Sequence, residues 1–322
     1  MPHHSAGIPR RAAGISRRAA ARAVAATGLA ALFGATAAAG RARAATQVGP
    51  RTFDVSVTSS ALGRSAPVRL VLPSDFGTQT TRTYPVLYLL HGAHDDYTSW
   101  TRETDIETFT EGRDLIVAMP DAGPTGIPSA WRGGPDYETF QLQEVPALLA
   151  RDYRASGVRA VAGVSTGGYG AMAHAARHPG AFTAAASYSG ILDTTAVGVP
   201  TLVGAIVARE SLLPDSLWGN PLLNALVWQD FDPRARATGL RGTPLYVSQG
   251  SGIGGGAVGD WSAGVLEGLL WPCAHSFTTA LALLGIPATT HFYAGGGHSW
   301  DYWKQEFTAS WPMLAGALGV PE

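Results

Sequence analysis

The sequence predicts one α/β domain: a central, mostly parallel sheet with helices on both faces. Two observations predict it. Short apolar runs alternate with helical stretches over most of the 322 residues. Runs such as "YPVLYLL" and "DLIVAMP" are apolar at consecutive positions, so each strand is to be covered on both faces.

The elements follow in order. "RTFDVSVTSSALG" and "APVRLVLPSDF" alternate with period two and predict an antiparallel opening pair. "YPVLYLLHG", "DLIVAMPDAG", "RAVAGVS", "TAAASYSG", "TPLYVSQG" and "ATTHFYAGG" then read as strands. Between them "ETDIETFTEG", "YETFQLQEVPALLARDYR", "GGYGAMAHAARHP" and "WSAGVLEGLLWPCAHSFTTALALLG" read as helices. Residues 191–240 exceed an ordinary crossover and are rich in Leu, Val, Trp and Pro, which fits a lid over a site or a packed helical excursion.

Composition narrows the function. Hydrophobic residues make up 46% and charged residues 15%, enough for a sizeable core. Residues 1–44 hold seven Arg and no Asp or Glu, so the remainder carries a net charge of −8. An acidic body excludes a nucleic-acid partner, because phosphate neutralisation needs a basic surface. Arginine pairs Arg10-Arg11 and Arg17-Arg18 precede a mildly apolar Ala/Leu/Gly stretch and then Ala-Arg-Ala before Ala45. This is the pattern of a twin-arginine secretory signal, with removal expected after about Ala44 and the domain running over 45–322. The apolar stretch is short of the roughly 20 residues that span a bilayer. Cys273 is the single cysteine, which excludes an internal disulfide and reads as a small core residue.

Gly163-Val164-Ser165-Thr166-Gly167 lies directly after a strand and directly before a helix. The two glycines keep side chains away from a sharp turn, and Ser165 is left with an exposed hydroxyl beside free helix N–H groups. No Gly-Lys-Ser/Thr is present, which excludes a P-loop. A serine hydroxyl needs a base within reach. Of nine histidines, His298 in "GGGHSWDYW" is the one on a loop just after the last strand, where the base of such a fold belongs. His91-Gly92 ends an earlier strand, and the backbone N–H groups of Ala93 and Thr166 are assigned to an oxyanion hole.

"YLLHGAHDDYTSW", "YETFQLQEVPALL", "GVSTGGYGAMAHAARHPGAF", "SGILD" and "GHSWDYWKQEF" resemble, in order, segments of the antigen 85 mycolyltransferase and esterase D-like branch of the α/β-hydrolases. The resemblance covers about residues 50–315. It implies the α/β-hydrolase fold, Ser165 as nucleophile, His298 as base and an acid after the penultimate strand. It also implies a small-molecule, lipid or glycolipid ester as substrate; no cofactor and no metal are expected.

Two positions depart from the family. Mycolyltransferases that act on trehalose have an aspartate where this chain has His91, which favours a general carboxylesterase over acyl transfer to a sugar. After "TPLYVS" no carboxylate falls where the family places its glutamate; Asp260 is the nearest, with Glu267 on the following helix as the alternative and Asp193 as a distant third. Glu267 is expected to be an exposed helix residue. His91, Trp131 and Trp300 are expected to contact substrate. A non-catalytic binding protein on the same fold is the competing class. Gly250-x-Gly252-x-x-Gly255 imitates a dinucleotide fingerprint but reads as a loop beside the site, and Asp95-Asp96 reads as a capped turn rather than a metal site.

Overall fold

Strands β1 to β9 form one sheet in the order β1-β2-β3-β5-β4-β6-β7-β8-β9 in the computed structural model, which describes residues 43–253 and 261–322. They are β1 (Arg43–Gln47), β2 (Thr52–Ser59), β3 (Arg64–Val71), β4 (Tyr84–Leu90), β5 (Ile116–Pro120), β6 (Ala155–Val164), β7 (Ala184–Tyr188), β8 (Leu245–Gly250) and β9 (Thr289–Tyr293). The first three pair antiparallel, β3 pairs antiparallel with β5, and every pairing from β5 through β9 is parallel. The expected signal segment, up to residue 42, lies outside the described residues. Strand β1, which no sequence pattern announced, spans the boundary expected near Ala44.

Helices α1 (Ser99–Glu103), α2 (Ile106–Phe109), α3 (Val145–Asp152), α4 (Thr166–Arg177), α5 (Val199–Arg209), α6 (Ala225–Asp230), α7 (Trp261–Leu283) and α8 (Trp300–Leu318) complete the fold. A π-helical turn, Phe140–Glu144, leads into α3. Alternation along β4 sorts its side chains onto two faces. Val86, Tyr88 and Leu90 join one buried cluster with residues of α3, α4, α5 and α7. Leu87 and Leu89 join a second with α1, α2 and α8. Each fully buried leucine contributes about 1.5–3 kcal/mol. Cys273 is buried in the first cluster, and burial pushes its thiol up to about 12.

Parallel pairing aligns the carboxyl ends of the strands, where ligands of such sheets collect. Leu90 pairs with Gly163, Val164 with Tyr188, Tyr188 with Ser248, and Gly250 with Tyr293. The loops carrying His91, Ser165, Ser189, Gly250 and His298 therefore open on one side. No helix among the described residues is long and apolar enough to cross a membrane.

Candidate active site

Ser165 occupies the turn between β6 and α4 with φ 55° and ψ −122°. A non-glycine residue held there costs about 1–3 kcal/mol. The turn is fixed by its surroundings: Ser165 N–H donates to the Tyr188 carbonyl at 3.0 Å, and Tyr169 N–H donates to the Ser165 carbonyl at 3.0 Å. A Cβ on Gly163 would collide with the Gly167 carbonyl, and one on Gly167 with the carbonyls of Leu90 and His91. The glycines thus let three backbone segments meet around the serine.

Ser165 Oγ–H donates to His298 Nε2 at 2.8 Å. On the other side of the ring, Nδ1–H donates to Glu267 Oε2 at 2.9 Å. A carboxylate only accepts, so this contact puts the proton on Nδ1 and leaves Nε2 free to take the serine proton. Glu267 is fully buried, and its second oxygen is satisfied by Ser189 Oγ–H at 2.7 Å and Gly250 N–H at 2.8 Å. Trp303 Nε1–H in turn donates to Ser189 Oγ at 3.1 Å, and the Trp303 ring meets the His298 imidazole edge-on at 5.0 Å.

Of the two carboxylates weighed as the acid, Glu267 is the one described beside His298. Glu267 holds the Nδ1 position that was expected for Asp260, and Asp260 lies outside the described residues. Nor is Glu267 an exposed helix residue. It lies on the buried face of α7 with Leu270, Cys273, Ala274, Phe277 and Leu281. That spacing was the available signal: a carboxylate inside an apolar helical stripe needs buried partners. Asp193 instead accepts from Ser276 Oγ at 2.7 Å and Thr195 Oγ1 at 3.1 Å.

The cavity over Ser165 measures about 560 Å³. Ala93, Trp300 and Trp303 line it, and α5, from the long segment 191–240, supplies Leu202, Ala205, Ile206 and Arg209. Thr166 begins α4, where the N–H has no carbonyl partner within the helix. His91 and Trp131 do not line the cavity. His91 is buried, with Nδ1–H donating to the Gly92 carbonyl at 2.9 Å and Nε2 accepting from Ala122 N–H at 3.1 Å. Burial lowers its pKa, and both contacts suit the neutral ring. Trp131 packs in the first core cluster and donates to the Ile127 carbonyl at 3.4 Å.

Of the glycine-rich stretch Gly250-x-Gly252-x-x-Gly255, Gly255 lies outside the described residues, while Gly250 N–H binds Glu267 and Gly252 N–H donates to the Gly295 carbonyl at 3.0 Å. Asp96 accepts from Thr98 N–H at 2.8 Å in a capped turn, while Asp95 pairs with Arg102 at 2.7 Å.

Comparison with known proteins gives the family and the fold. The Esterase family model matches residues 59–314. The diacylglycerol acyltransferase/mycolyltransferase Ag85B of Mycobacterium intracellulare is 32% identical over 318 residues, 92% of this chain and 93% of that protein. Esterase Rv1288 of Mycobacterium tuberculosis is 31% identical over 77% of this chain and 56% of its own length. In fold, the chain is similar to M. tuberculosis MPT51 (FbpC1), with a TM-score of 0.67 at 24% identity over 81% of this chain and 96% of that one. It is also similar to the Staphylococcus aureus serine hydrolase FphF, with a TM-score of 0.64 at 20% identity over 82% and 97%. The chain therefore belongs to the Esterase family and is an esterase or acyltransferase of the α/β-hydrolase fold.

Proposed function

We propose that the protein hydrolyses carboxylic esters through an acyl-enzyme on Ser165. The observation that carries this reading is the continuous chain from Ser165 through His298 to Glu267, at 2.8 and 2.9 Å. His298 Nε2 takes the serine proton as Oγ attacks the ester carbonyl, and Glu267 orients the ring and stabilises the imidazolium. The N–H groups of Ala93 and Thr166 hold the oxyanion. His298 then delivers its proton to the leaving alcohol, and water repeats the sequence to free the acid. A complete proton-transfer chain also supports an enzyme over a non-catalytic binder.

Acyl transfer is the second reading, supported by the identity to Ag85B. Hydrolysis stands ahead of it because buried His91, engaged by backbone on both nitrogens, offers no ligand to a sugar hydroxyl. Wild-type protein is expected to bind a fluorophosphonate probe covalently and to cleave p-nitrophenyl butyrate, with Ser165→Ala inert to both. Retained cleavage in Ser165→Ala would sink the mechanism, and a dominant ester product with an added alcohol would favour transfer. Export by the twin-arginine route is part of this reading, supported by the arginine pairs. Replacing both pairs with lysine should leave the protein inside the cell.

A further inference from the structure

The charges around the cavity are unequally compensated. Its polar rim includes His94, Asp95 and Arg209. Asp95 is paired with Arg102 at 2.7 Å, and His94 is bound by Glu210. Arg209, exposed at the end of α5, has no ion-pair partner among the described residues. It is not turned at random. Leu202, Ala205, Ile206 and Arg209 follow helical spacing, so the guanidinium continues the same face that walls the cavity with apolar side chains. The neighbouring Glu210, through His94, ties this end of α5 to the loop after β4 and so holds Arg209 beside the mouth.

We propose that Arg209 is a specificity residue that selects esters bearing an anionic group, a carboxylate in the first instance. An apolar wall ending in an uncompensated planar cation suits a molecule that is apolar near the scissile bond and negatively charged at one end, because guanidinium binds carboxylate through two parallel N–H donors. The inference rests on the esterase reading of Ser165.

Matched esters test it in two arms. The charged group sits on the acyl side in mono-p-nitrophenyl glutarate, set against p-nitrophenyl butyrate. It sits on the alcohol side in 4-carboxyphenyl butyrate, set against phenyl butyrate. The wild-type protein is expected to prefer the anionic member of at least one pair by about fivefold to tenfold in kcat/KM, chiefly through KM. Arg209→Gln should abolish that ratio, Arg209→Glu invert it, and Arg209→Lys restore part of it. The preference should also weaken with added salt. The arm that responds identifies the side of the ester that carries the charge. A ratio near one in both arms, or a ratio unchanged by Arg209→Gln, overturns the proposal. Calorimetric binding of the same esters to Ser165→Ala gives a readout independent of turnover. Tighter anionic binding that Arg209→Gln abolishes upholds the Arg209 assignment even if no ester is cleaved, and equal or absent binding rejects it.

Discussion

Ser189 donates its hydroxyl to Glu267 Oε1 at 2.7 Å, on the oxygen that His298 does not use. Ser189 itself has a φ of 52°, a left-handed conformation that places it between Glu267 and the Trp303 indole. Removing the hydroxyl leaves both neighbours with one partner fewer in a buried setting. Ser189→Ala is expected to lower kcat about tenfold with little change in KM, since one net hydrogen bond is worth about 1 kcal/mol or slightly more. A change confined to KM would contradict a positioning role.

Glu267→Gln tests the acid directly. The amide keeps the shape but cannot balance an imidazolium, and a fall in kcat of about 10²- to 10⁴-fold is expected. Asp260→Asn is the matching control and should stay within about twofold of wild type. Steady-state kinetics of the two variants on one p-nitrophenyl ester decide between the carboxylates; the reverse pattern would return the role to Asp260.

Gly163→Ala places a methyl group against the Gly167 carbonyl at the turn that holds Ser165. Relief requires the turn to open, so thermal stability and labelling by a fluorophosphonate should fall together. A loss of about 2 kcal/mol or more is expected from overpacking of this kind. A variant with wild-type melting temperature and full labelling would show that the turn yields freely.

Two buried groups act oppositely on stability as pH changes. Burial and the charge of Asp193 push Asp232 from 3.8 up to about 6. The folded chain holds that proton more tightly than the unfolded one, so its contribution is full below pH 3.8 and is lost as pH rises through 6. Burial pushes His174 from 6.5 down to about 4, and its contribution is full above pH 6.5 and lost as pH falls through 4. Each displacement corresponds to about 3 kcal/mol, so the two slopes largely cancel between pH 4 and 6. Asp232→Asn should therefore make stability fall on acidification over that range, and His174→Gln should make it fall on alkalinisation. Urea titrations at several pH values would show the two variants diverging from wild type in opposite directions; parallel profiles would refute the cancellation.

The sheet was legible because residues apolar on both faces leave few other arrangements, and its eight predicted strands appear in order. Strand β1, "RAATQ", lacks any alternation to announce it. The helix α8 was hidden differently: its buried residues Trp303, Phe307, Trp311, Leu314 and Leu318 keep helical spacing, but Pro312 interrupts the pattern. Within the site, Ser165 and His298 were readable because a strand end fixes each of them locally. Glu267 was not, because its place depends on how α7 packs against β8, a relation between distant segments. His91, directly after β4, and Trp131, in the long connection after β5, misled for a similar reason, since such a ring can serve the core as readily as a substrate.

His91 then acquires a different meaning. By joining Gly92 to Ala122, it locks the loop after β4 to the loop after β5. Gly126 presses against Gly92 and the Thr166 side chain so closely that no Cβ would fit. The loop that presents Ala93 is thus ordered before any ester arrives. In the proposed mechanism, the entropy of arranging that N–H for the oxyanion is lost once, during folding, and is not lost again at each turnover.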